Sequence, residues 1–242
     1  MPENDLTTAL EQIRDKRGYL LAHHGLMALA GNGLLEAYDA LYTRLTLTPA
    51  YLSRHEHEFV WMAVLSSIDE PLGTHHIPRY LEAGGSRDEF AAILAFTALA
   101  KGVSCYQFVE GHWLPHLPDM EPEAAYRAAF ERAAQGAPLP LAHMAGAAVH
   151  MCQGNFEALA WQIRAAYAAA APEQGLAEAL SLAMFPGSVP YFARASEVWR
   201  RLIADGEVEA SAAFRAWASL AGQGGYDEAS GAAGNGGSAS QG

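Results

Sequence analysis

The sequence predicts an all-α fold, and three observations carry that expectation. The chain is alanine-rich, with a hydrophobic fraction of 51% and charged residues at 17%, the composition of a helix-rich globular protein. Its apolar residues recur at helical spacing. Two Ser-x-x-Glu segments, Ser53 to Glu56 and Ser86 to Glu89, match the capping box that starts a helix. With 242 residues the chain can bury a large core in one or two domains.

The elements follow in order. Residues 5–29 read as a helix, with Leu6, Leu10, Ile13, Tyr19 and Leu20 at helical spacing, and Gly31-Asn32-Gly33 as its stop. A second helix over 34–45 places Leu35, Tyr38, Leu41, Tyr42 and Leu45 on one stripe. These N-terminal helices fill residues 1–49, ending in a connector over 46–49. The core helix starts at Ser53 and carries the apolar run Phe59 to Leu65, too short to span a membrane and suited to burial. Pro71-Leu72-Gly73 turns the chain back. A helix over 77–83 stops at Gly84-Gly85, and another runs over 90–101 with Ile93, Leu94, Phe96, Thr97 and Leu99 packing. After Gly102 a last helix covers 103–113, closed by Pro115 and Pro118.

The second half repeats the first at an offset of 85. Arg79 meets Arg164, Gly102 meets Gly187, Tyr106 meets Tyr191 and Leu117 meets Leu202. The chain therefore reads as two tandem units, 50–117 and 135–206, packed as one domain, each burying an apolar face against its copy. At that offset Glu58 falls on His143 and His76 on Trp161, so the second unit shapes the pocket while the first carries the chemistry. His143 and His150 lie two helical turns apart, so they can share a face and line the pocket from the far side; each singly reads rather as a satisfied helix histidine. The Gly-, Ala- and Ser-rich stretch 222–242 offers too little apolar surface to offset the entropy of ordering and is expected to be a disordered tail.

A net charge of −12 argues against nucleic acid or an anionic membrane as partner. Cys105 and Cys152 stand far apart, without disulfide-framework or zinc spacing. The polar start MPENDLTTAL does not read as a signal peptide. No apolar run reaches bilayer length, and a cytoplasmic protein is expected.

The chemistry concentrates between His55 and His76, a stretch that holds His55, His57, His75 and His76 together with Glu56, Glu58, Asp69 and Glu70. A carboxylate beside an imidazole in an apolar pocket sets a proton-transfer pKa. The turn at Pro71 to Gly73 returns His75 and His76 toward Glu58. Arg79, one turn after His76, suits a substrate carboxylate; its alternative is a structural ion pair. Trp61 and Tyr106 supply aromatic wall, or core. His112 and His116 are four apart, with Pro115 between them weakening a shared helical face.

Glu58, the apolar helix, His76 and the run HIPRYLEAGGSRDEF resemble the core motif of the carboxymuconolactone decarboxylase and alkylhydroperoxidase D-like family. That resemblance implies an alkylhydroperoxidase D-like helical bundle, with Glu58 on the family glutamate and His76 on the family histidine. The gap between them is one residue shorter than the family's, which leaves His75 as the alternative histidine. The places of the redox Cys-x-x-Cys pair hold Asp69 and Leu72, so thiol peroxidase chemistry is not implied. The decarboxylase branch keeps a glutamate at the second of those places, where Leu72 stands beside Glu70.

Three functional readings follow. The first, by resemblance, is a cofactor-free lyase or decarboxylase acting on a small ring-derived carboxylic acid or lactone. His76 or His75 and Glu58 are then catalytic, and Arg79, Trp61 and Tyr106 contact the substrate. The second is a metal-dependent enzyme, such as a non-haem iron oxygenase or a hydrolase, with Glu58, His75, His76 and His112 as ligands. The third is a non-catalytic helical scaffold. The partner is a small molecule, and the resemblance implies a homo-oligomer, a trimer or hexamer.

Overall fold

The computed structural model describes residues 3–225, and every regular element among them is helical. In chain order these are α1 (Glu3–Arg17), α2 (Ala22–Ala30), α3 (Leu34–Tyr42), α4 (Arg54–Ser67), α5 (His76–Glu82), α6 (Arg87–Lys101) and α7 (Ser104–Phe108). They continue as α8 (Pro122–Ala133), α9 (Leu139–Cys152), α10 (Phe156–Ala168), α11 (Glu173–Leu182), α12 (Met184–Gly187), α13 (Val189–Ala204) and α14 (Ala212–Ser219). Wide π turns extend α3 over Thr43–Leu47 and α7 over Val109–Trp113, and a 3-10 turn over Pro71–His75 leads into α5.

Two helices form the centre. In α4 every residue from His57 to Val64 is buried, and in α9 every residue from Leu141 to Cys152. Helices apolar all round belong inside a larger core, and these two pack on each other, with α5 and α6 against α4 and with α10 and α11 against α9. Helix α8 joins the layers by packing on α6 and α10, and α13 covers α10 and carries α14. The close approach of α9 to α10 requires glycine at 146: a Cβ there would stand 2.2 Å from Gln162 Nε2 and 2.8 Å from a Phe130 ring carbon.

The capping box at Ser53 forms in full. Its hydroxyl accepts from the Glu56 N–H at 3.2 Å, and the Glu56 carboxylate accepts from the Ser53 N–H at 2.7 Å. At Ser86 only half forms. The hydroxyl accepts from the Glu89 N–H at 3.1 Å, but the Glu89 carboxylate turns to His55 Nε2 and the Tyr80 hydroxyl. The entry to α4 has a second anchor with no local sequence signal. The Glu178 carboxylate, on α11, accepts from the backbone N–H groups of Ala50, Tyr51 and Leu52 at 2.8, 2.6 and 2.9 Å.

Four expectations are corrected. The helix expected over 5–29 is two helices, because Gly18 at φ +80° closes α1 and the chain runs extended through Leu21 before α2. The helices expected over 34–45 and 103–113 both loosen into π turns. The segment Arg87–Trp113 is 27 residues of helical chain, long and apolar enough by composition to cross a membrane, where no such run was expected. Within it, Ile93, Phe96 and Ala100 are fully buried in the protein's own core. The expected disordered tail lies outside the described residues from 226 onward.

The N-terminal helices keep a small apolar cluster of their own, Ile13, Ala28 and Leu35, separate from the main core. Arg17 fastens them: its guanidinium binds Asp39 at 2.7 Å, meets His24 Nε2 at 3.0 Å and lies 4.2 Å from the Tyr42 ring centroid.

Candidate active site

Helix α4 and the start of α5 bring Glu58 and His76 together. Glu58 Oε2 and His76 Nδ1 are 2.6 Å apart, with His76 only 2% exposed. At that distance one proton lies between the two atoms. Trp61, one turn along α4, stacks on the imidazole with ring centroids 4.5 Å apart and planes at 21°. Burial is the first cause that raises the Glu58 carboxyl above its ordinary range. Burial is also the first cause that lowers His76, to about 3, with the charges of Arg79 and His57 adding to it. Both directions favour a neutral imidazole against a carboxyl that holds its proton.

The geometry puts His76 on Glu58, and gives His75 other partners. Its ring lies 4.3 Å from that of His76, and its Nε2 meets the hydroxyls of Tyr42 at 3.3 Å and Tyr19 at 3.4 Å, themselves 2.8 Å apart. Burial, then His76 and Arg79, lower His75 to about 4. Sequence reasoning missed Tyr19, in the linker between α1 and α2, and Tyr42, at the end of α3, both more than thirty residues away; no local pattern marks such a pairing.

A cavity of about 210 Å³ opens beside the dyad, lined by Thr46, Leu47, Arg54, His57, Glu58 and Arg79 among others. Two residues of this lining carry orphaned polar atoms, Arg79 Nη1 and Thr46 Oγ1, both buried without a hydrogen-bond partner. His57 Nε2 pairs with the Leu45 carbonyl at 3.0 Å and so holds the π turn carrying Thr46 against α4. A larger apolar cavity of about 370 Å³, walled by Met62, Leu65, Ile77 and Phe90, contains neither member of the dyad.

Other candidates stand elsewhere. Tyr106 packs edge-on against Tyr126 at 5.5 Å, and His112 lies beside Phe108 at 5.0 Å in the exposed π turn after α7. Neither is brought to Glu58 and His76. Arg164 is an ion-paired residue, on Glu123 at 2.6 Å and Glu207 at 2.7 Å, whereas Arg79, its counterpart at the offset of 85, makes no such pair among the described residues. In the second half His150 Nε2 meets the Tyr126 hydroxyl at 2.8 Å. His143 is fully buried and stacked on Phe130 at 5.2 Å; neither ring nitrogen makes a hydrogen bond, and Nε2 has only a long ionic contact, 3.7 Å from Glu131 Oε1. Among the described residues no three His, Cys, Asp or Glu side chains converge as a metal-ligand group.

Comparison with protein-family models, with curated proteins and with solved structures found no match.

Proposed function

We propose that the chain is a cofactor-free lyase of the carboxymuconolactone decarboxylase type, which protonates the carbanion or enolate left when a small organic acid loses carbon dioxide. The observation that carries the reading is the buried 2.6 Å contact between Glu58 Oε2 and His76 Nδ1. When Glu58 keeps its proton and donates to Nδ1, the neutral imidazole carries its own proton on Nε2. As the substrate's C–C bond breaks, the electron pair stays on carbon and carbon dioxide leaves. The Nε2 proton passes to that carbon, and the Glu58 proton passes to Nδ1. The dyad ends as a carboxylate facing an Nδ1–H imidazole, and it resets when solvent delivers a proton to Nε2 as the Nδ1 proton returns to Glu58. No imidazolium forms at any point, which suits a ring whose pKa burial depresses.

The same reading includes the tandem duplication and the alkylhydroperoxidase D-like bundle. In support, α4 and α9 begin 85 residues apart, as do α7 and α13, and α4 packs directly on α9.

The test is release of carbon dioxide and deuterium incorporation by a panel of ring-derived carboxylic acids and lactones in deuterated water, followed by NMR. Turnover that survives a chelator and falls by about 10²-fold or more in Glu58→Gln and His76→Gln supports the reading. Turnover lost to chelator and restored by one added metal overturns it.

A further inference from the structure

We propose that the 210 Å³ cavity is a carboxylate subsite, in which Arg79 and Thr46 hold one carboxylate of a compact organic acid beside Glu58. The inference deepens the lyase reading by naming the groups that hold the substrate's acid end, and it stands on geometry independent of turnover.

Unpartnered polar groups on two residues of the cavity lining are the first ground. Buried donors are almost always satisfied, and an orphaned one costs free energy that a ligand can recover. Here two residues that line the cavity, Arg79 and Thr46, carry a guanidinium nitrogen and a hydroxyl that are buried without a partner, and Thr46 is 1% exposed. A guanidinium fork and a hydroxyl together match the lone pairs of a carboxylate.

Charge is the second ground. The chain carries a net −12, yet this cavity is lined by two guanidinium groups, Arg54 and Arg79, against a single carboxyl group. That carboxyl, Glu58, is already bonded to His76. The lining therefore holds an excess of positive charge that an anion would neutralise.

Size is the third. The volume of about 210 Å³ equals roughly seven waters at about 30 Å³ each. It falls below the range of about 300–1,000 Å³ typical of sites for drug-sized ligands. Leu47 and Pro49 supply apolar wall, so the ligand that fits is a short or single-ring acid with one end charged. His57 acts here as a positioning residue, since its bond to the Leu45 carbonyl fixes the turn that presents Thr46.

The experiment is titration calorimetry of the full chain with benzoate, with its neutral match benzamide, and with inorganic phosphate. Saturable benzoate binding, at least tenfold tighter than benzamide, is expected. Arg79→Gln and Thr46→Val should each weaken benzoate at least fivefold, while Arg79→Lys should lie between Arg79→Gln and the native chain. Far-ultraviolet circular dichroism checks that each variant folds; if Arg79→Gln does not, the Thr46→Val result and the benzoate–benzamide ratio decide. No benzoate binding, equal binding of benzamide, tighter binding of phosphate, or unchanged affinity in folded variants overturns the assignment. Benzoate binding without turnover of any acid would leave the subsite standing and remove the lyase reading.

Discussion

Glu58 and His76 work as one group because they share a 2.6 Å contact, and burial moves the carboxyl up and the imidazole down. The proposed relay needs the proton that Glu58 holds, so activity should fall as pH rises through the dyad's apparent pKa, which burial places above the usual carboxylate range. A pH profile of turnover checks this, and a profile rising through that range instead would remove Glu58 as the donor. Trp61 is both wall and scaffold. It is 4% exposed, and Trp61→Ala should cost about 3–5 kcal/mol in urea unfolding, whereas Trp61→Phe keeps most of the stack on His76. His143 presents the reverse case. Its buried ring nitrogens make no hydrogen bond and Nε2 stands 3.7 Å from Glu131, too far to repay burial, so His143→Leu should hold or raise the melting temperature. A loss above about 2 kcal/mol would mean that the contact with Glu131 stabilises the fold.

Helix α4 is aimed by its ends. Its capping box is written in the four residues Ser53 to Glu56, but the preceding turn is held by a carboxylate from α11 that accepts three backbone N–H groups. Glu178→Ala would leave those donors to solvent or unpaired. The expected cost is about 1–3 kcal/mol, more than the roughly 1 kcal/mol for Ser53→Ala. Chemical denaturation of the two variants compares them directly, and equal losses would mean that water replaces Glu178 without penalty. The contrast explains what a sequence can announce. A cap acts over three residues and has a pattern, whereas the Glu178 anchor spans more than 120 residues and has none.

Across the whole molecule, buried histidines tie stability to pH. His76 and His150 are sealed in the folded state and lowered to about 3, while in the unfolded chain each titrates near 6.5. Between those values the unfolded state binds more protons, so stability rises with pH and is complete above about 6.5. As pH falls from 6.5 toward 3 that stability is lost, by up to about 1.4 kcal/mol per pH unit for each such ring. Glu58 runs the other way and offsets part of the His76 contribution, because its raised pKa loses stability as pH rises. His150, bonded only to Tyr126, is the cleaner reporter. Unfolding free energies measured between pH 4 and 7 should slope upward in the native chain and less steeply in His150→Leu. An unchanged slope would mean that His150 is already protonated when folded.

The sequence by itself determined the helical class, the buried centre at α4, the cap at Ser53 and the meeting of Glu58 with the histidine pair across the turn at Pro71. Each of these rests on near neighbours or on a periodicity that burial imposes, so it is legible along the chain. Tertiary structure alone decided the rest. It gave His76 to Glu58 and His75 to Tyr19 and Tyr42, a choice between adjacent residues that the direction of one short turn settles. It sent Tyr106 to Tyr126 and left His112 in an exposed turn. It also gathered Thr46, Arg54 and Arg79 around one cavity. A residue type states what a side chain can do; which partners it meets depends on how separate helices pack, and no local pattern encodes that.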